Sequence, residues 1–363
     1  MTRPVIRPAE DCRFDVVSLG EVMLRLDPGD TRIRAARNFT VWEGGGEYNA
    51  ARGLSRTFGQ RTAVATSLVD NEIGRLTENL ILAGGVDSSL IVWRDFDGVG
   101  RQARNALNFT ERGFGLRGAM GVSDRGHSAA SLLQPDDIDW DHLFGTLGVR
   151  WLHTGGIFAG LSESTAHTAV AAMTAARKHG TMVSVDLNYR PSLWQGPAAQ
   201  ERASAVFTAL AEHADVLVGG ATDYADRLGI RAPAGGVGTA DTLGALAAGV
   251  LDRFPNLWLV ASTVRTVHSA SVNDWSVVAQ ARDEAAIASA PYDRLEILDR
   301  VGGGDGFVAG LVYGLLNEHG LQQSIEYGAA HGALAMTTPG DNSMATRAEV
   351  EALVNGQGAH VQR

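Results

Sequence analysis

The run Leu298-Asp299-Arg300-Val301-Gly302-Gly303-Gly304-Asp305-Gly306-Phe307 decides how the rest of the chain is read. Three consecutive glycines stand before an acid at the point where helical periodicity begins. With no side chains in the way, the backbone N–H groups of Gly302, Gly303 and Gly304 lie open, and the positive end of the helix dipole adds to them. Such a frame stabilises charge developing on a transferring phosphoryl group. Asp305, the first acid of that helix, stands where it can take a proton from an attacking hydroxyl. Taken alone, the run is equally a glycine turn closed by an N-capping aspartate. There is no GxxxxGK[ST], so a Walker-type loop is not present.

Working outward, the chain alternates strand and helix. Residues 14–19 form an apolar run ending at Gly20 and read as a buried strand, and 61–69 as another. Residues 47–58 and 73–83 have helical spacing and stop at glycines. After a middle insertion the pattern resumes, with strands at 149–153, 181–186, 216–218 and 257–261. Helices are expected at 164–179, 198–211, 241–254, 305–318, 321–336 and 347–354. This alternation predicts a mainly parallel sheet with helices on both faces, an α/β fold. Two glycine- and arginine-rich stretches, 22–41 and 91–131, break the rhythm and read as an inserted β-rich lid. The α/β core is then 14–21, 42–90 and 132–355.

Composition excludes several classes. Of 363 residues, 45% are hydrophobic and 20% charged, which is globular composition rather than that of a disordered chain. A formal charge of −10 disfavours nucleic-acid binding but leaves room for a local arginine cluster that holds one anion. The single Cys12 excludes an internal disulfide, and the ten histidines show no metal-ligand spacing. No apolar run reaches membrane length and the first ten residues lack a signal core, so a cytoplasmic protein is expected.

The segment DRVGGGDGF resembles the C-terminal signature of PfkB-type carbohydrate kinases, usually D-T-x-G-A-G-D-x-F. It departs from that signature at Arg300 and Gly303. Gly44-Gly45-Gly46-Glu47-Tyr48-Asn49 resembles the first signature of the same family. Together the two signatures imply a ribokinase-like three-layer α/β/α sandwich with a small β-rich lid. They also imply Asp305 as catalytic base, Gly302 to Gly304 as anion hole, and ATP with Mg2+, a monovalent ion requirement being left open. Gly44, Gly45 and Asn49 would contact the sugar, because missing side chains let hydroxyls reach the backbone and a carboxamide both donates and accepts.

Within the family, Asp186-Leu187-Asn188-Tyr189-Arg190-Pro191-Ser192-Leu193-Trp194 and the run around Arg125 are similar to 2-keto-3-deoxygluconate kinases. That likeness implies Asn188, Arg125 and Arg190 on the substrate, with the guanidinium forks holding a carboxylate. Arg25 occupies a place where neutral-sugar kinases often carry an acid, so it is either a further substrate contact or a solvent-facing arginine. The nucleotide half departs from the pattern. Asp223 alone stands for the usual N-x-x-E acid, as a Mg2+ and phosphate residue or as a helix cap. Ser262 to His268 replaces the usual G-x-x-G turn, with Arg265 either facing a phosphate or a structural surface arginine, and Asn342 either near the adenine or a plain turn residue. The expected partner is a small sugar or sugar acid, and a homodimer through the lid strands is expected. A neutral-sugar or nucleoside kinase, and a sugar-binding homologue with weak turnover, remain as alternatives.

Overall fold

The computed structural model describes residues 4–231 and 239–357, so 232–238 of the expected core lie outside the described residues. The main sheet has ten strands. Seven form its parallel part, in spatial order β5 (Ile91–Arg94), β4 (Thr62–Val69), β1 (Phe14–Leu19), β8 (Val149–Gly155), β9 (Met182–Asp186), β10 (Val216–Val218) and β11 (Leu259–Ser269). Beyond β11 the pairing turns antiparallel, to β12 (Val272–Ala281), which carries β13 (Ile287–Ala288) and β14 (Tyr292–Glu296).

Every residue of β1 and β4 is buried, as their unbroken apolar runs require of strands covered on both faces. Alternate residues serve opposite layers. Val17, Leu152, Val183 and Leu217 pack against α4 (Glu163–Lys178), α5 (Ala199–His213) and α7 (Ala240–Arg253). Val16, Trp151, Met182 and Val216 pack against α1 (Gly46–Arg56), α8 (Gly303–Leu316) and α9 (Gly320–Ala335). Helix α8 is apolar nearly all round because it is sunk in this second layer, and only its first turn opens to a cavity. The chain is thus a three-layer α/β/α sandwich of the ribokinase-like kind.

A separate four-stranded sheet is built from β3 (Thr40–Gly44), β2 (Met23–Asp27), β6 (Leu107–Glu111) and β7 (Met120–Asp124), in that order. Its central pair, β2 with β6, is parallel, and Leu24 faces Leu107. The tip of the β6–β7 hairpin reaches the β11–β12 turn, where Ala270 N–H donates to Gly115 O at 2.9 Å.

Two expectations are corrected. Residues 91–94 belong to the main sheet rather than the insertion, because β5 pairs in register with β4. The strand expected at 257–261 does not end there: β-branched residues carry β11 through Ser262 to His268 as far as Ser269, and β12 returns beside it. Among the described residues no helix is long and apolar enough to cross a membrane.

Candidate active site

A cavity of about 780 Å3 lies at the carboxyl ends of the parallel strands, between the main sheet and the small one. Open α/β sheets hold ligands in this place, because loops leave the strands there and helix N-termini point into the gap. Its walls carry Asp186 at the end of β9 and Asn188 just beyond it, Asp223 on α6 (Ala221–Arg227), and Arg265 on β11. The first turn of α8 supplies Gly302 to Asp305, and the small sheet supplies Met23, Asn108 and Ser123 beside Arg125.

The glycine frame is dictated locally. Gly302 caps α8 with φ +83, a left-handed conformation costly for other residues, and a Cβ there would lie 2.0 Å from Asp341 O. A Cβ on Gly304, by contrast, would meet nothing within 4 Å, so the amide ridge stands open to the cavity. Asp305 follows at the third helical position and makes no capping bond. The N-cap alternative for Asp305 therefore fails. Its Oδ2 instead accepts from Asn49 Nδ2 at 2.7 Å. Burial pushes the Asp305 carboxyl up to about 6, with the Asp341 charge adding to it and Asn49 and Arg190 opposing.

The second glycine run starts α1. Gly45 has φ +146, and a Cβ on it would strike Glu21 O at 2.0 Å. Both Gly45 and Asn49 line the cavity. Gly44 does not, which corrects its assignment as a sugar contact: a Cβ there would lie 2.3 Å from Asp341 Oδ2, so its bareness admits a carboxylate rather than a ligand.

Arg125 and Arg190 both face the cavity. Arg125 Nε pairs with Glu21 Oε2 at 3.1 Å and its Nη2 touches Met23 Sδ at 3.3 Å. Arg190 is exposed and bonds only weakly, to Tyr189 O at 3.4 Å. Arg265 also lines the cavity, near Arg300, and burial together with that second guanidinium lowers its pKa. Asp223 lines the wall and also accepts from Gly220 N–H at 2.9 Å, so it closes the start of α6 as well.

Two assignments are overturned. Arg25 reaches neither solvent nor the cavity; it is fully buried, and its guanidinium is held by Asp27, Asp299 and Asp341. Asn342 is buried too, donating to Glu43 O at 2.7 Å away from the cavity wall, so it is placed by the β3 backbone rather than by a base.

Three residues were given no site role by the sequence. Asp186 ends β9 in the wall, and burial with the like charges of Asp305 and Asp223 holds its carboxyl well above the ordinary range. Glu47 is pushed up to about 7 by burial, with the Asp305 charge adding. Arg300 stands where the kinase signature has threonine. An acid ending a continuous buried strand, as in VSVD, is the signal that marks Asp186. Crowded acids of this kind fit a hydrated divalent ion bound mainly through phosphates, although among the described residues no three ligands form a cage.

Residues 13–348 match the model of the pfkB family carbohydrate kinases. The chain belongs to that family. This pfkB-family kinase is 29% identical to the 2-dehydro-3-deoxygalactonokinase of Haloferax volcanii, over 96% of this chain and 99% of that one. It is 25% identical to the 5-dehydro-2-deoxygluconokinase of Geobacillus kaustophilus, over 94% and 93%. The solved 2-dehydro-3-deoxygluconokinase of Thermotoga maritima superposes on this pfkB-family kinase with a TM-score of 0.86, at 33% identity, over 94% of this chain and 99% of that one.

Proposed function

We propose that this pfkB-family sugar kinase transfers the γ-phosphoryl group of ATP to the primary hydroxyl of a keto-deoxy sugar acid, the 6-OH of 2-keto-3-deoxygluconate. The observation that carries the reading is the placement of Asp305. It lies between the open amides of the glycine frame and the carboxamide of Asn49, in a cavity that also holds Arg125 and Arg190. Asp305 accepts the hydroxyl proton as that oxygen bonds to phosphorus and the bridging oxygen leaves with ADP. A base raised to about 6 is ionised at neutral pH yet close enough in pKa to take the proton usefully. The amides of Gly303 and Gly304 stabilise the phosphoryl charge, and Arg265 with Arg300 attracts the donor phosphates. Mg2+, when bound, neutralises further phosphate charge, and Asp223 and Asp186 are the residues to orient it. The small sheet covers the sugar and excludes water, which otherwise competes as acceptor.

Arg125 and Arg190 bring guanidinium groups to the sugar end, and the keto-deoxy acids in the names of the relatives fit such a site. One observation favours a second reading, a neutral sugar: Glu21 already pairs with Arg125. An ATP-dependent phosphorylation screen over keto-deoxy sugar acids, neutral hexoses, pentoses and nucleosides separates the two. The acids should show the highest kcat/KM, and a neutral sugar ahead of them overturns the assignment.

A further inference from the structure

We infer that Arg25 is a positioning residue for phosphoryl transfer, tying strand β2 of the small sheet to both anchors of the glycine frame. The inference rests on the role proposed above for that frame.

Arg25 Nη1 donates to Asp341 Oδ1 at 2.5 Å, and Nη2 donates to Asp27 Oδ2 at 3.2 Å and to Asp299 Oδ2. Both remote partners shape the frame. Asp299 lies three residues before Gly302, and its other oxygen accepts from Val301 N–H at 3.2 Å. Asp341 presses its backbone carbonyl against Gly302 and its carboxylate against Gly44. Gly44 ends β3, two residues before the start of α1, the helix from which Asn49 reaches Asp305. One guanidinium therefore meets the supports of the anion hole and the junction that aims the base.

The charge balance argues for geometry over stability. Three buried carboxylates surround Arg25, with Arg112 Nε 3.5 Å from Asp27 as the second cation. Burial pushes the carboxyls of Asp299 and Asp341 up even beside Arg25, with the charge of Asp27 adding at Asp299 and those of Asp299 and Glu43 at Asp341. Buried ion clusters of this kind stabilise a fold little more than well-packed apolar residues would. A planar fork does fix directions, which a lysine or an aliphatic side chain does not.

The test uses the full-length enzyme with Arg25→Lys, which keeps the charge and loses the fork, and Arg25→Met, which loses both. A misplacement of about 1 Å costs on the order of 10²-fold in rate. Arg25→Lys should therefore lower kcat roughly ten- to a hundredfold with KM for the acceptor within about threefold. Backbone amides 301–305 should exchange hydrogen at least about tenfold faster in Arg25→Lys, with those of β1 and β8 unchanged. Should Arg25→Met fail to fold, Arg25→Lys decides alone. Unchanged kcat and unchanged exchange overturn the inference, and so does a rise in acceptor KM with kcat held. Exchange is read without any acceptor. A wild type inactive on sugar acids would sink the proposed substrate, while exchange at 301–305 would still judge Arg25.

Discussion

Asn49 Nδ2 donates to Asp305 Oδ2 at 2.7 Å, joining the first turns of α1 and α8 in the cavity wall. The bond favours the ionised carboxylate and works against burial, which favours the acid. The balance leaves Asp305 poised near 6 rather than locked in either form. Asn49 Oδ1 is buried and meets no hydrogen-bond donor among the described residues, so the carboxamide is held through its Nδ2 alone.

Asp305→Asn keeps the shape of the side chain and removes the base. A positioned carboxylate is worth about 10²–10⁴ in rate, so kcat should fall at least about a hundredfold. The melting temperature should not fall. The folded pKa of Asp305 lies above its ordinary value of 3.8, so ionisation costs the fold stability as pH rises through 6. Asn removes that cost, and the variant should melt at or above the wild type at pH 8, the gap closing as pH drops to 4. Calorimetry beside steady-state kinetics reads both, and a variant that is less stable but fully active would refute the assignment.

The acid limb of kcat/KM against pH should fall near 6, with activity rising as Asp305 ionises in the free enzyme. Asn49→Ala removes the donor that holds this pKa down, so its limb should move to higher pH. A limb that stays in place in Asn49→Ala would separate Asn49 from the base.

Arg125→Ala and Arg190→Ala should each raise KM for the keto-deoxy acid by roughly one to three orders of magnitude, from about 2–4 kcal/mol of lost pairing. KM for ATP should hardly change. If neither variant alters the acid KM, the carboxylate clamp is wrong while sugar phosphorylation stands.

Asp223 serves α6 and the cavity at once. Asp223→Ala should raise the Mg2+ concentration for half-maximal rate and lower kcat, whereas a loss of stability with normal Mg2+ dependence assigns it to the cap.

Much of this was legible in the sequence because it is local. Strands β1, β8 and β9 announce themselves as short apolar runs, and the glycine frame with Asp305 is contiguous. Arg25 was not legible: Asp27 is its neighbour on β2, but Asp299 and Asp341 reach it only where the segments before α8 and after α9 meet the small sheet, and a lone arginine on a strand reads as exposed. Asn342 is alike, since its bond to Glu43 O spans most of the chain. The β11–β12 hairpin escaped because Ser269-Ala270-Ser271 lacks the glycine or asparagine that marks tight turns.

The parallel pairing of β2 with β6 also sets an order of assembly. Between Leu24 and Leu107 the chain makes β3, α1, β4, α2 (Glu72–Ala83) and β5, so their contact closes a long loop, and long loops close slowly. Main-sheet strands β1 and β4 lie closer in sequence and bury every residue, so they supply the platform on which the small sheet is laid. The wall of the cavity that the small sheet supplies should thus be completed late in folding, and its amides should exchange hydrogen before those of β1 and β4.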